Sequence, residues 1–244
     1  MDSNTGRDES PLMMKEFSLS AKKKDGADPF VVTLDVGSSS VRALLFDGRA
    51  REVEGLGTQL TYEVSTTPDG GMEVDANQLA DLAVGALTTL HGQMQARRLR
   101  ASAVACCTFW HNVLGVGSYD RPVTPVLHPF DTRAAGAAEE LARRIDGRAQ
   151  HARTGCVLHA SYLPAKLLWL AETQPQVFRS AQRWMSFGEF LHLKLFGRTA
   201  ASVCMVSGSG LWDQNENRYD PEILSVLPVD ASQLAPVEEM DQPL

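Results

Sequence analysis

The chain has 244 residues, 43% of them hydrophobic and 22% charged, which is typical of a globular protein with one large domain or two small ones. Its formal net charge of −7 argues against sequence-independent nucleic-acid binding, which needs clustered Lys and Arg. No apolar segment is long enough to cross a bilayer, and the N-terminus lacks the apolar core of a secretory signal. We therefore expect a cytoplasmic protein that binds neither membrane nor nucleic acid.

Residues 1–28 are polar and charged, contain a run of three lysines and show no periodic apolar pattern. This composition predicts a disordered N-terminal tail, followed by a single domain over residues 29–244.

The four cysteines are Cys106, Cys107, Cys156 and Cys204, and none belongs to a C-x-x-C pair. Because Cys106 and Cys107 lie in an apolar, strand-like run, we interpret the four as buried free thiols of a reducing compartment. The spacing argues against a disulfide framework or a zinc site.

The stretch from Phe30 to Asp47 predicts a strand, a tight turn and a second strand. The first strand ends at Asp35, and Gly37 opens a Gly-Ser-Ser-Ser turn that lets backbone approach a ligand closely. The amides and hydroxyls of such a turn suit an anion such as phosphate, and Asp35 is placed to meet a hydrated Mg²⁺ beside it. The alternative is an ordinary hairpin with a Gly/Ser-rich turn.

A third strand over residues 51–64 and a turn over residues 68–71 follow. Asp75, or alternatively Asn77, predicts the N-cap of an amphipathic helix that ends near Gln95, and Ala101 to Thr108 predicts a buried strand. The order β-β-β-α-β predicts a mixed sheet, antiparallel at first and parallel after the helical crossover.

The second half of the chain predicts a short hairpin, then mostly helices. The hairpin joins residues 113–116 to residues 123–127, and a loop covers residues 128–133. Helices are predicted over residues 134–145, 163–172, 177–181, 186–195 and 221–227, with a small, polar stretch over residues 202–210 that contains a turn at residues 207–210.

Four segments in order resemble the N-terminal domain of the FGGY carbohydrate kinases, particularly the gluconokinase and xylulokinase branches. They are the L-D-V-G-S-S-S-V-R run from Leu34, the F-D-T-R-A run from Phe130, the T-G…P-A-K-L-L-W-L pattern from Thr154 to Leu170, and the S-G-S-G-L-W-D run from Ser207. The matches extend from Val31 to about Val237. Each segment is weak evidence by itself, whereas four in family order are specific.

The resemblance implies an actin-like, ribonuclease-H-type α/β domain with a mixed sheet and helices on both faces. It also implies a kinase that binds ATP, Mg²⁺ and a small sugar between two such domains. Phosphoryl transfer to a sugar hydroxyl requires in-line positioning, charge neutralisation and a base that receives the hydroxyl proton.

By the same resemblance, the phosphate and Mg²⁺ site comprises the first acid, the turn and an arginine, namely Asp35, Gly37, Ser38, Ser39, Ser40 and Arg42. For Arg42, a solvated strand residue is the equal alternative.

Trp110 and His111 occupy the place of the family's Q-M-H-G sugar loop, although Phe109 and Asn112 depart from it. A His can exchange hydrogen bonds with sugar hydroxyls while an aromatic face packs on the sugar C–H surface. A buried structural histidine is the alternative.

Asp131 and Arg133 match the family's W-x-D-x-R substrate loop, where Pro129 replaces the Trp. Asp131 could accept bonds from vicinal hydroxyls; alternatively it caps the following helix or pairs with Arg133. Lys166 and Trp169 lie one helical turn apart, and we expect a packing role for them.

The resemblance stops about one strand before the aspartate that serves the family as general base, and Asp241 lacks the required context. We therefore expect a sheet without its last strand, an exposed apolar edge, and no C-terminal domain in this chain. The hypotheses are an incomplete sugar kinase, which needs a partner chain with the other domain or a homo-oligomer, and an inactive sugar-binding module.

Overall fold

The structure, a computed structural model, describes residues 29–238. Residues 1–28 and Asp241 lie outside this range. The disorder of the N-terminal tail and the exclusion of Asp241 as the general base therefore stay predictions. Within the described range, no helix is both long enough and apolar enough to cross a membrane.

Thirteen strands are present in the described range. They are β1 (Phe30–Val36), β2 (Ser40–Phe46), β3 (Glu52–Thr61), β4 (Ser65–Thr66), β5 (Met72–Val74), β6 (Ala101–Thr108), β7 (Leu114–Val116), β8 (Val126–Leu127), β9 (Arg183–Met185), β10 (Ala201–Ser202), β11 (Trp212–Asp213), β12 (Arg218–Tyr219) and β13 (Val237–Glu238).

The α-helices in the same range are α1 (Ala76–Ala96), α2 (Ala135–Arg144), α3 (Gly147–Thr154), α4 (Leu163–Thr173), α5 (Pro175–Ser180), α6 (Phe187–Phe196), α7 (Val203–Ser207) and α8 (Pro221–Ser225). Two short 3-10 helices cover Ser118–Asp120 and Ala231–Gln233.

The main sheet has the strand order β3-β2-β1-β6 within residues 29–238. The pairs β3–β2 and β2–β1 are antiparallel, whereas β1 and β6 are parallel because α1 carries the chain back across the sheet. The predicted mixed sheet is therefore confirmed.

Helix α1 covers one face of this sheet. It begins at the predicted cap, where the Asp75 carboxylate accepts a hydrogen bond from the Gln78 N–H at 2.8 Å. Its apolar stripe, which includes Leu79 and Leu90, is fully buried against inward-facing residues of the strands such as Val36. Each such leucine contributes about 1.5–3 kcal/mol of burial free energy. The helix thereby supports β1, whose C-terminal end leads into the Gly-Ser-Ser-Ser turn.

The prediction of a buried strand over Ala101 to Thr108 is wrong: β6 forms an open edge of the sheet, because no other strand within residues 29–238 pairs with its outer side. Seven of its eight residues are exposed, and Val104 retains 62% of its accessible surface. A cavity of about 1070 Å³ opens between β6 and α1, with Val32, Met94 and Val104 in its lining. On the face of the sheet away from α1, Asp35 and Arg42 are exposed, and the prediction of helices on both faces of the sheet stays a prediction for this face.

The prediction of four buried thiols is wrong for three of them. Cys106 and Cys107 are exposed because β6 lies at the sheet edge, and Cys204 is exposed near the start of α7. Cys156 is buried, and all four are free, as predicted.

The predicted hairpin between residues 113–116 and 123–127 is confirmed only in part, since the two segments meet antiparallel but do not form a continuous ladder with each other. Strand β7 pairs with β9, and β8 pairs with β5, which leaves only isolated bridges at Val113↔Leu127 and Val116↔Pro122. Both segments gain buried partners that are distant in sequence. Two helices were not predicted: α3, whose polar sequence is capped by Asp146, and α7, which ends at the first residue of the predicted turn.

Helix α6 begins with a reciprocal capping box and ends at Gly197, as predicted. The Glu189 carboxylate accepts a hydrogen bond from the Ser186 N–H at 2.6 Å. Burial raises the pKa of Glu189 from 4.5 to about 7, although the bonds from Ser186 oppose this shift. Because the folded-state pKa is raised, the contribution of this group to stability declines as the pH rises from about 4.5 to about 7.

We expect Glu189→Gln to stabilise the chain at pH 8 by about 3 kcal/mol, since the amide keeps the capping acceptor without a buried charge. The difference should vanish near pH 4.5, where Glu189 is protonated in the folded state. Urea unfolding across this pH range measures it. The exposed Glu139→Gln serves as the control, and a difference independent of pH would contradict the prediction.

We expect Val104→Lys to reduce self-association of the chain, because a charge on an exposed strand edge disfavours edge-to-edge pairing. The control is Val84→Lys, which places the same charge at another exposed valine, on α1. Sedimentation velocity over a concentration series measures the effect. Equal behaviour of the two variants would show that β6 is not the adhesive surface.

Candidate functional site

The Gly-Ser-Ser-Ser turn between β1 and β2 directs its carbonyl groups toward the protein. The Gly37 carbonyl accepts a hydrogen bond from the Tyr62 hydroxyl at 2.6 Å, and the Ser38 carbonyl lies 3.2 Å from Nε2 of His128. In a trans peptide the N–H opposes the preceding carbonyl. The N–H groups of Ser38 and Ser39 therefore point away from these partners, an arrangement that suits an anion.

Three other predicted phosphate-site residues lie beside this turn. Ser40 is buried and begins β2, and its carbonyl accepts a hydrogen bond from the Gly37 N–H at 2.9 Å. Asp35 and Arg42 lie opposite each other in the β1–β2 register and are exposed. Among residues 29–238, neither side chain has a hydrogen-bond or ion-pair partner. Both are thus accessible to a ligand.

The loop over residues 109–112 follows β6 and carries the predicted sugar contacts Trp110 and His111. Trp110 is 44% exposed, and its ring packs over Gly208, where an added Cβ would lie only 2.9 Å from the ring. Asn112 is buried and accepts a hydrogen bond from the Phe187 N–H at 2.6 Å, which attaches the loop to the start of α6. The glycine of the predicted 207–210 turn thus provides the space that Trp110 occupies.

His111 is half-buried, and its ring position is defined by two contacts. Its Nδ1 lies 2.9 Å from the Gly208 carbonyl, and its ring meets the Tyr162 ring edge-on at 4.6 Å. Because a carbonyl only accepts, we assign the proton to Nδ1, which leaves Nε2 as an acceptor. Burial lowers the pKa of His111, the Gly208 carbonyl raises it, and the positive charge of Lys166 lowers it further. A neutral ring with a free acceptor suits a hydroxyl donor.

In the loop over residues 128–133, Asp131 and Arg133 bind each other. Arg133 Nη2 lies 2.6 Å from Asp131 Oδ2 and 2.5 Å from Glu73 Oε1, and the Met72 N–H also donates to Asp131 at 3.1 Å. Asp131 is 2% exposed, and the Arg133 guanidinium lies 4.6 Å above the Trp169 ring. The geometry corresponds to the alternative in which Arg133 pairs with Asp131, and α2 begins later, at Ala135.

His128 is a residue of this site that the sequence analysis missed. It is 2% exposed, and its Nε2 contact with the Ser38 carbonyl joins the phosphate turn to the substrate loop. Its Nδ1 accepts a hydrogen bond from the Phe130 N–H at 3.4 Å, which agrees with a proton on Nε2. Its position just before the F-D-T-R run was the available signal, but its partner is 90 residues away in the chain.

Helix α4 supports both the 109–112 loop and the 128–133 loop. Lys166 and Trp169 lie on one face of the helix, and Tyr162, the N-cap residue just before it, continues the same i, i+4, i+7 spacing. Tyr162 contacts the His111 ring, Trp169 contacts Arg133, and Lys166 Nζ donates to the carbonyls of His111 at 2.6 Å and His128 at 2.8 Å. The expected packing role of Lys166 therefore involves both loops directly.

Residues 29–238 contain no group of three or more His, Cys, Asp or Glu side chains arranged to hold a metal ion directly. The single exposed carboxylate of Asp35 suits a hydrated Mg²⁺ that is carried mainly by phosphate, since such ions keep several waters and use one or two carboxylates.

Comparison with known sequences identifies the family. The family model described as "FGGY family of carbohydrate kinases, N-terminal domain" matches residues 30–243. A xylulose kinase of Streptomyces coelicolor is 30% identical over 207 residues, covering 84% of this chain and 42% of the relative. A gluconokinase of Bacillus subtilis is 23% identical over 219 residues, covering 87% of this chain and 41% of the relative.

Another relative, an autoinducer-2 kinase of Klebsiella pneumoniae, is 29% identical over 219 residues. The match covers 86% of this chain and 40% of the relative. The chain thus spans about two-fifths of the length of the curated relatives it matches.

Comparison with solved structures gives the same fold. A gluconate kinase from Lactobacillus acidophilus superposes with a TM-score of 0.79 at 23% identity, covering 87% of this chain and 42% of that structure. A Plasmodium falciparum glycerol kinase with ADP gives 0.78 at 15% identity, covering 88% of this chain and 44% of that structure. The predicted actin-like fold class is confirmed, and the protein belongs to the FGGY family of carbohydrate kinases, which it matches over the family's N-terminal domain.

Proposed function

We propose that the chain is the N-terminal half of an ATP-dependent sugar kinase that acts in the cytoplasm. The reaction transfers the γ-phosphoryl group of ATP to a hydroxyl of a pentulose, a gluconate-like acid or a related polyol. The observation that carries this proposal is the joining of three loops into one surface. His128 links the phosphate turn to the substrate loop, and Lys166 links the substrate loop to the loop of His111.

On the sugar side, Trp110 and His111 would make the principal contacts. The exposed indole offers a face for the apolar C–H surface of a sugar, and Nε2 of His111 offers an acceptor for a hydroxyl. Asp131 and Arg133 complete the proposed sugar site, but their mutual ion pair must open before Asp131 meets a hydroxyl directly. The structure supports Trp110 and His111 more directly than this pair.

On the phosphate side, the N–H groups of Ser38 and Ser39 would receive phosphate oxygens, together with Gly37, Ser40 and Arg42. Asp35 would hold Mg²⁺ through its water shell. When bound, the ion supplies charge neutralisation for the phosphates. The exposure of Asp35 and Arg42 supports this assignment, since neither has a hydrogen-bond or ion-pair partner among residues 29–238.

Catalysis would further require a general base and the other wall of the cleft, which we propose to come from a second domain. The relatives are more than twice as long as the matched region, which supports a separate or contiguous partner domain. That domain would have to face the loops that follow β1 and β6, whereas the exposed edge of β6 would be covered by the last strand that the resemblance implies. A homo-oligomer is the other assembly that would cover this edge.

The second candidate function is a catalytically inactive sugar-binding or interaction module. It is favoured because the proposed sugar loops are held in place by hydrogen bonds within this chain, whereas the edge of the sheet is left exposed. The two functions share the sugar site and differ in turnover.

We expect D-xylulose or D-gluconate to raise the melting temperature of the chain, because a ligand that binds only the folded state stabilises it. His111→Ala should abolish the rise, since it removes the acceptor and the contact with Tyr162. The matched control is His151→Ala, which alters an exposed histidine on α3. Differential scanning fluorimetry over a sugar titration measures both, and an unchanged rise in His111→Ala would contradict the proposed sugar site.

We expect no ADP release from the isolated chain with any sugar, because preorganised contacts and the base account for most of the rate enhancement in such reactions. Adding a second-domain chain should restore turnover, and Asp35→Ala should then abolish it. A coupled ADP assay measures each step. Turnover by the isolated chain would contradict the need for a partner, and persistent absence of turnover together with sugar binding would favour the inactive module.

A further inference from the structure

Lys166 carries a buried charge that packing of α4 alone does not require. It is 1% exposed, and no ion pair within residues 29–238 includes it. Its ammonium donates instead to two backbone carbonyls, those of His111 and His128. Burying an ammonium costs more free energy than burying an apolar side chain of similar length, such as methionine. The charge is therefore expected to have a specific role at these two carbonyls.

The carbonyl of His111 belongs to a strained residue. His111 has a φ of 59°, in the left-handed region that residues other than glycine rarely adopt. Three contacts hold it there: the Lys166 bond to its carbonyl, the Gly208 bond to its ring, and the Tyr162 ring. A strained backbone and a buried charge thus meet at one peptide group, in the loop that carries Trp110.

The carbonyl of His128 belongs to the other sugar loop. It also accepts a hydrogen bond from the Asp131 N–H at 3.0 Å, which closes the turn that leads into Asp131 and Arg133. The His128 ring reaches the Ser38 carbonyl of the phosphate turn. Through these two carbonyls, one ammonium connects every loop of the proposed site.

We propose that Lys166 is a positioning residue whose ammonium holds the 109–112 loop and the 128–133 loop in a fixed mutual arrangement, so that a polyol meets a preformed surface. The identity of the ligand rests on the proposed function, whereas the coupling of the two loops does not. The residue acts through the backbone of His111 and His128 and does not need to touch the sugar.

The charges around Lys166 are consistent with this role. Burial lowers the pKa of Lys166 to about 7, the Asp131 carboxylate opposes that shift, and Arg133 adds to it. Burial is the main cause that lowers the pKa of both His111 and His128. The carbonyl that each ring contacts raises the pKa, and the charge of Lys166 lowers it further. It therefore helps to keep Nε2 of His111 unprotonated and available as an acceptor.

The test compares Lys166→Met with Lys166→Arg and with Lys194→Met, an exposed lysine on α6, in the full chain. In Lys166→Met, we expect amide hydrogen exchange in both loops to accelerate together, by about tenfold or more, since each carbonyl loses a bond to a charged donor. Amides of α1 should not change, and the His111 ring pKa should rise. Lys166→Arg should keep the His111 pKa low, and Lys194→Met should change nothing.

Unchanged exchange in the loops, or an equal acceleration throughout the chain, would overturn the proposal. Should Lys166→Met fail to fold, carbon-detected NMR of the wild type gives the answer. The carbonyl shifts of His111 and His128 should titrate with one common midpoint near that of Lys166, and separate midpoints would overturn the proposal. Sugar affinity is then measured on the same samples: coupled loops without any sugar binding would refute the proposed function and leave the role of Lys166 standing.

Discussion

The loops of the candidate site meet at one buried ammonium, that of Lys166, which donates hydrogen bonds to two backbone carbonyls. Lys166 lies at the centre of the face of α4 formed with Tyr162 and Trp169, and each of the three side chains contacts a different part of the two sugar loops. Loops that leave unrelated strands have no intrinsic reason to meet in a fixed geometry. Here the helix supports both loops, because Lys166 binds the carbonyl of His111 and Trp169 packs against Arg133.

The two halves of the domain differ in how many of their polar and apolar groups contact other parts of the protein. Around α4, the polar groups of the loops are bonded to each other, to Lys166 and to Gly208. At the other end, β6 presents small and apolar residues to solvent, with a large cavity beside it. A surface of this kind is costly to leave exposed. Within residues 29–238, the loops around α4 thus have protein partners, whereas no strand pairs with the outer edge of β6.

How much of this structure follows from the sequence depends on whether local or long-range contacts decide it. The strands β1 and β2, the cap at Asp75 and the stripe of α1 were predictable, because period and capping are local properties. The pairing of β7 with β9 was not, since its two strands lie almost 70 residues apart and a nearby turn suggested a hairpin. The exposed Cys106 and Cys107 show the same limit: an apolar strand does not reveal whether it lies at an edge.

For the site, motif resemblance identified Asp35, His111, Asp131 and Arg133 as candidates, but it did not indicate which protein groups they contact. The Asp131–Arg133–Glu73 arrangement and the His128 contact with Ser38 join segments far apart in sequence, so no spacing rule could indicate them. Lys166 was noticed by its motif and assigned to packing. Its role emerges only because its ammonium, and not its stem alone, is enclosed between two loop carbonyls.

The most direct test of the sugar site is a chemical-shift map of the isotope-labelled chain titrated with D-xylulose and D-gluconate. We expect the perturbed amides to lie in the 109–112 and 128–133 loops and on the adjoining face of α4, with one saturable affinity. Perturbations confined to the cavity between β6 and α1, around Met94 and Val104, would contradict the assignment and place the ligand on the exposed edge instead.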